Sequence, residues 1–205
     1  MKHPIISAIE ERRTINLFDT SHGVEPEQIR ELVRLATSAP TAFNLQNWRF
    51  IAVHTAEAKA RLRKLAWDQA KVSEASVTFI VVGQLANHLH LADRLAPSVD
   101  AGLMPPEMVP GWEGAAKSLY FEQPQRQRDE AVRTATFGAG TLIYAAHAMG
   151  LGSAPMIGFD ADAVAEAFGL AADEIPVLLV AVGQPAPENW PQKPRRPLAQ
   201  VLSVL

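Results

Sequence analysis

The chain has 205 residues, 48% of them hydrophobic and 20% charged, which is the balance of a globular protein and not of a disordered one. With 19 basic against 22 acidic side chains the formal charge is -3, which argues against a generic nucleic-acid binder. The absence of cysteine excludes disulfides, thiol nucleophiles, zinc ribbons and cysteine-held iron–sulfur clusters.

The first segment, MKHPIISAIEERR, lacks the long apolar core and small-residue cleavage site of a secretory signal, so the expected compartment is the cytoplasm. Pro4 fits the first turn of a helix, Ile5, Ile6 and Ile9 follow at helical spacing, and the helix is expected to run into Arg12 and Arg13. A second helix starts near Pro26, with Ile29, Leu32, Val33 and Ala36 on one face, and ends before Pro40. A loop, SAPTAFNLQNW, leads into a short strand from Arg49 to His54. Thr55 can cap a third helix carrying Leu62, Leu65 and Ala66. Val77 to Val82 is an apolar, β-branched run and predicts a buried strand.

Residues 86–130 hold a Pro/Gly/Met segment and a charged run, and their pattern predicts no definite element. A long helix is expected from about Arg128 to Met149, its small residues suited to close helix contact within the core or across a dimer. Thr134 to Phe159 carries no charge, but Gly150, Gly152 and Pro155 break it, so it predicts a buried helix and then a loop, not a membrane span. Asp160 or Asp162 begins a short helix to Phe168, and Pro176 to Val182 is a second central strand. The Pro-rich end is extended. Helices alternating with a few strands indicate an α+β or α/β fold in one domain spanning 1–205.

Four places could carry chemistry. Arg12, Arg13 and Thr14 offer two guanidiniums and a hydroxyl, which suit a phosphate, although arginines also complement a helix C-terminus. The loop from Ser38 to Trp48 is dense in amides and hydroxyls that match the edge of a heterocycle, or that satisfy their own turn. In Gly150 to Phe159, backbone N–H groups near Ile157 and Gly158 can face a ligand without side-chain obstruction, or the segment is a plain helix–helix connection. Lys193, Arg195 and Arg196 add positive charge on a rigid tail. His88 and His90 would share one face of a strand, but no further ligand supports a metal there, and none is assigned.

In this order the segments RRTINLF, SAPTAFNLQNWRF, WDQAKVSEAS, MGLGSAPMIGFD, PVLLVAVGQP and KPRRPL resemble the nitroreductase family of flavin enzymes. The resemblance runs through nearly the whole chain except residues 86–130. It implies an α+β fold with a central, mainly antiparallel sheet flanked by helices, a variable lid-like region at about 86–130, and a C-terminal arm, about 185–205, that wraps the partner subunit. It also implies FMN at the interface of an intertwined homodimer, with NADH or NADPH as donor and a small-molecule acceptor, and with neither nucleic acid nor membrane as partner. Carried over, Arg12, Arg13 and Thr14 would lie along the phosphate, ribityl chain and pyrimidine edge, with Lys193 and Arg195 completing the phosphate site. Pro40, Thr41 and Asn44 would come from the second subunit. Gln69 would hydrogen-bond the flavin or its ribityl chain, with Asp68 and Lys71 as neighbouring candidates. Pro155, Met156, Ile157 and Gly158 would lie beside the flavin N5, with the Gly158 N–H as its partner.

Two departures stand out. Asn16 occupies a position where many members have Lys or Arg, and Ile157 one where a subgroup has Glu. An amide stabilises negative charge on a reduced flavin less than a cation does. Because the flavin carries the chemistry in this family, no catalytic side chain is expected. The implied activity is ping-pong reduction of nitroaromatics, quinones, enals or aldehydes, with Phe43, Trp112, Tyr120 and Phe121 as aromatic pocket walls. The alternative is a flavin-binding carrier or sensor without turnover.

Overall fold

The computed structural model describes residues 2–205. One sheet holds β1 (Trp48–Val53), β2 (Val77–Gln84), β3 (Gly152–Met156) and β4 (Glu174–Gly183) in the order β1-β2-β4-β3. Every pairing is antiparallel. The two central strands, β2 and β4, are buried on both faces because helices cover each side. Side chains alternate across a strand, so their continuous apolar runs serve two cores at once.

On one face Val77, Phe79, Val81, Val180 and Val182 pack against α2 (Pro26–Ala36) and α7 (Pro124–Ala148). On the other, Ile80, Val82, Leu179 and Ala181 meet Leu62 and Ala66 of the α3 (Ala56–Leu65) region, Val72 of α4 (Ala70–Glu74) and Val164 of α8 (Ala161–Ala167). Local chemistry sets the helix starts. The Thr55 hydroxyl accepts from the Ala58 N–H, and the Asp160 carboxylate accepts from the Ala163 N–H, satisfying donors that the first turn leaves free. Asp160, not Asp162, is thus the cap of α8.

The small residues of α7 are used inside the chain. A Cβ on Gly138 would lie 2.9 Å from the Phe50 ring, and one on Gly83 of β2 would lie 2.4 Å from the Ala131 carbonyl oxygen. The helix therefore lies almost on the sheet. Its opposite side leaves Phe137 and Tyr144 exposed, beside α1 (Pro4–Glu11), which buries none of its residues. Among the described residues no helix is long and apolar enough to cross a membrane.

Several sequence expectations need correction. α1 ends at Glu11, and Arg12 is extended (φ -60°, ψ 128°), because the following residues run beside β3 instead of continuing the helix. The segment after Gly150 contains a strand, β3, and is not a simple connection between helices. α7 starts at Pro124, ahead of Arg128. His88 and His90 lie on a 3-10 turn and not on a strand. Residues 86–123 fold into α5 (Leu91–Asp100) and α6 (Val109–Tyr120); Leu91, Leu95, Ala116 and Tyr120 of these helices, with Met104 between them, form a third core with Leu45.

Gly83→Ala is expected to destabilise the protein by about 1–3 kcal/mol, since the methyl meets backbone that cannot rotate away. Urea unfolding checks this, and an unchanged midpoint would contradict the packing described for α7.

Candidate functional site

The site is built on the ribbon from Arg12 to Leu17. Ile15 is buried, its N–H donates to the Ser153 carbonyl at 2.9 Å, and Thr14 bridges Ser153 in a parallel sense. Gly152 permits this approach, because a Cβ there would lie 2.5 Å from Ile15 Cγ1. The ribbon carries Arg12, Arg13, Thr14 and Asn16 along the outer edge of β3. Arg12 and Arg13 line a cleft of about 210 Å³ together with His147, Gly150, Gly152, Ser153 and Pro185.

Further positive charge gathers at Asn16. Lys71 Nζ donates to Asn16 Oδ1 at 3.4 Å. Burial, and then the nearby charge of Lys193, hold the Lys71 ammonium below the ordinary lysine range. Arg195 donates to the Lys193 carbonyl at 2.9 Å. Among the described residues, none of Arg12, Arg13, Lys71, Lys193 and Arg195 has a carboxylate within ion-pair distance, whereas seven other ion pairs form elsewhere. Unpaired cations collected at one edge make a field that attracts an anion.

Pro155 sits in β3 opposite Val180, which an edge strand tolerates since the missing N–H faces outward. Met156 is buried, and Ile157 beyond it is 82% exposed. Gln69 Nε2 donates to the Gly158 carbonyl at 2.7 Å and to the Ala66 carbonyl at 3.2 Å, so this amide holds the glycine. The Gly158 N–H has no protein acceptor among the described residues. Trp67 and Asp68 adopt left-handed backbone angles (φ 52° and 54°), a strained turn secured by the Asp68 carboxylate accepting from Arg63 at 2.7 Å. The turn presses the Trp67 ring against Gly158, where a Cβ would come within 3.0 Å of it. Asp68 is therefore engaged with Arg63, while Lys71 is the neighbour of Gln69 that reaches Asn16.

Pro40, Thr41 and Asn44 lie elsewhere. Their loop enters β1, and Phe43, Asn44 and Gln46 all have positive φ (52°, 55° and 48°). The Thr41 hydroxyl accepts from the Gln46 N–H at 3.2 Å and ties the loop. β1 and β3 are opposite edges of the sheet, about 14 Å apart at ordinary strand spacing. The register also places Trp48 level with Gly83, and Ser153 level with Val182, at opposite ends of the central strands. Within one chain the loop and the cation ribbon are thus diagonal to each other and do not form a common site.

The aromatic residues expected to wall a pocket mostly pack on one another. Phe43 meets Trp112 and Tyr120 edge-on, with ring centroids 6.1 and 6.3 Å apart. Tyr120 is buried, and burial followed by the Glu130 carboxylate pushes its hydroxyl up to about 12. Phe121 is half exposed against the His88 ring.

The sequence profile of the nitroreductase family matches residues 9–184 of this chain. The chain belongs to the nitroreductase family. It is 37% identical over 188 residues to Protein DrgA of Synechocystis, covering 92% of this chain and 87% of that protein. It is 34% identical to an NADH dehydrogenase of Thermus thermophilus, covering 96% and 93% of the two chains. A crystal structure of a putative nitroreductase in complex with FMN from Exiguobacterium sibiricum superposes with a TM-score of 0.90 at 27% identity, covering 100% of this chain and 99% of that one. In this member of the nitroreductase family Lys71 is visible in the sequence only as a neighbour of Gln69, and Asn189, whose Oδ1 accepts from the Asn16 and Leu17 N–H groups, is not visible at all. The only sequence signal for Lys71 is its place two residues after Gln69, and Asn189 has none.

Proposed function

We propose that this nitroreductase-family chain is an FMN-dependent oxidoreductase. FMN supplies transfer of two electrons and a proton from NADH or NADPH to small acceptors such as nitroaromatics, quinones, enals or aldehydes, in ping-pong order. The observation that supports it best is the group of cations without carboxylate partners along the ribbon, together with the Gly158 N–H that has no protein acceptor among the described residues. That donor set fits a phosphate monoester joined to a heterocycle with carbonyl and imide edges.

Arg12, Arg13, Lys193 and Arg195 would hold the phosphate, and Thr14 the ribityl chain. Asn16, backed by Lys71, would meet the pyrimidine edge, so the cation missing from position 16 is replaced by one placed behind it. Gln69 would act through Gly158, fixing its carbonyl so that its N–H stays free for the ring. Pro155, Met156 and Ile157 would flank the ring. We assign no catalytic side chain. Residues 1–205 are read as one functional unit.

The same reading makes the protein a homodimer. Ile5, Ile9, Phe137 and Tyr144 line an open apolar groove of about 810 Å³, and Leu198, Val201, Leu202 and Val204 are exposed on the arm. A second copy would cover these faces and bring its own Pro40, Thr41 and Asn44 to the ribbon. In this arrangement the distal end of the arm, from Leu198 onward, wraps the partner.

Three outcomes are expected. The purified protein should show two flavin absorption bands that bleach with NADH or NADPH without oxygen and return with a quinone. Bands that never bleach would indicate a carrier or sensor instead. Sedimentation should give a dimer, and Phe137→Asp should yield monomers that lose FMN; a monomeric wild type would refute the shared site. Burial and the charge of Lys193 hold Lys71 below its ordinary range in the free protein, and the negative charge brought by bound FMN would raise it again, so binding takes up a proton. FMN affinity should then fall as pH rises through the lowered Lys71 pKa, and Lys71→Met should flatten that part of the profile in a fluorescence titration.

A further inference from the structure

Past its backbone pairing at Pro185 and Ala186, the C-terminal arm is joined to its own chain by two side-chain amides that no sequence motif singles out. Asn189 Oδ1 accepts from the Asn16 N–H at 2.8 Å and the Leu17 N–H at 3.0 Å. Its Nδ2 donates to the Leu17 carbonyl at 2.7 Å and the Ala186 carbonyl at 2.9 Å. A carboxamide has two donors and an acceptor with two lone pairs, so Asn189 is saturated. Three residues on, Gln192 Nε2 donates to the Arg12 carbonyl at 3.0 Å, and its Oε1 accepts from Arg195 Nη2 at 3.2 Å.

The two amides grip opposite ends of the ribbon. Asn189 fixes the backbone of Asn16, whose side-chain oxygen receives Lys71. Gln192 fixes the backbone of Arg12 and steadies Arg195. Between them Ile15 is already secured by Ser153. The arm is paired to the ribbon's end by the Phe18–Pro185 bridge and by the Ala186 N–H, which donates to the Leu17 carbonyl at 3.0 Å, and beyond Ala186 the two amides carry that register on toward Arg12. Neither residue belongs to a hydrophobic core, and Gln192 is exposed. Their bonds therefore serve placement more than bulk stability.

We propose that Asn189 and Gln192 are positioning residues that divide the flavin site between them: Asn189 places the ring-edge half through Asn16, and Gln192 places the phosphate half through Arg12 and Arg195. The division rests on the FMN reading above. It yields a split that a general loosening of the structure does not produce.

The test compares FMN with riboflavin, which lacks the phosphate, in fluorescence titrations of the purified full chain. Gln192→Ala should weaken FMN by roughly tenfold and leave riboflavin unchanged, because only the phosphate half is disturbed. Asn189→Ala should weaken both ligands by similar factors. Val24→Ala, a change in the α2 core remote from the arm, lowers stability and should alter neither affinity. Circular dichroism establishes that each variant is folded. Equal affinities in all variants, or the same loss of both ligands in Gln192→Ala and Asn189→Ala, would overturn the division. A wild-type protein that binds neither ligand would overturn the FMN reading itself, and this inference with it.

Discussion

The close contact between Ile15 and Gly152 is the constraint on which the cation ribbon depends. With a side chain at position 152 the ribbon could not bond to Ser153, and Arg12, Arg13 and Asn16 would leave the edge of β3. The contact has a second effect. An edge strand exposes unpaired backbone groups, and β3 would be such an edge if the ribbon and its Thr14–Ser153 bridge did not cover it. Covering the edge and placing the cations are one structural act. Pro155 adds to the protection by removing a donor from the same strand.

The second organising feature is the diagonal across the sheet. The ribbon follows β3 at one corner, and the Pro40–Asn44 loop precedes β1 at the other. Strained backbone recurs at both, in the Trp67–Asp68 turn and at Phe43, Asn44 and Gln46. Such conformations persist only where surrounding contacts over-determine them. Here those contacts are the Arg63–Asp68 pair, the Thr41 hydroxyl and the aromatic socket around Phe43. Meanwhile α1, the outer side of α7 and the end of the arm leave large apolar side chains unburied, which a lone chain would not favour in water.

The sheet centre and most helix starts could be read directly from residues. β2 and β4 are apolar runs, and Thr55 and Asp160 cap helices by a chemistry visible in any sequence. β3 was not legible, because GSAPM has neither β-branched residues nor alternation; it is a strand through pairing with β4 and the ribbon. α5 was hidden by Pro97 inside it, and α6 by the prolines and glycines near its start. At the site, the arginines and the tail cations stood out as charge clusters. The Asn189 clamp did not, since its partners lie 172 and 173 residues away and a lone Asn in a Pro-rich tail has no pattern. Nor could the sequence show that Phe43, Trp112 and Tyr120 spend their surface on each other.

That aromatic socket has a consequence for tolerance to change. The ties of the helical excursion of residues 86–123 gather near its root: Leu45 and Phe43 pack into its core, the Ala86 N–H donates to the Gln127 carbonyl at 3.5 Å, and Tyr120 lies beside Glu130 on α7. Between these ties the chain reaches an exposed tip around Leu103, and loop length adds to closure entropy only slowly. Residues can be inserted, lost or exchanged at that tip while Thr41 and Asn44 keep their places. The excursion can therefore vary at its tip without disturbing the loop that it braces through Phe43.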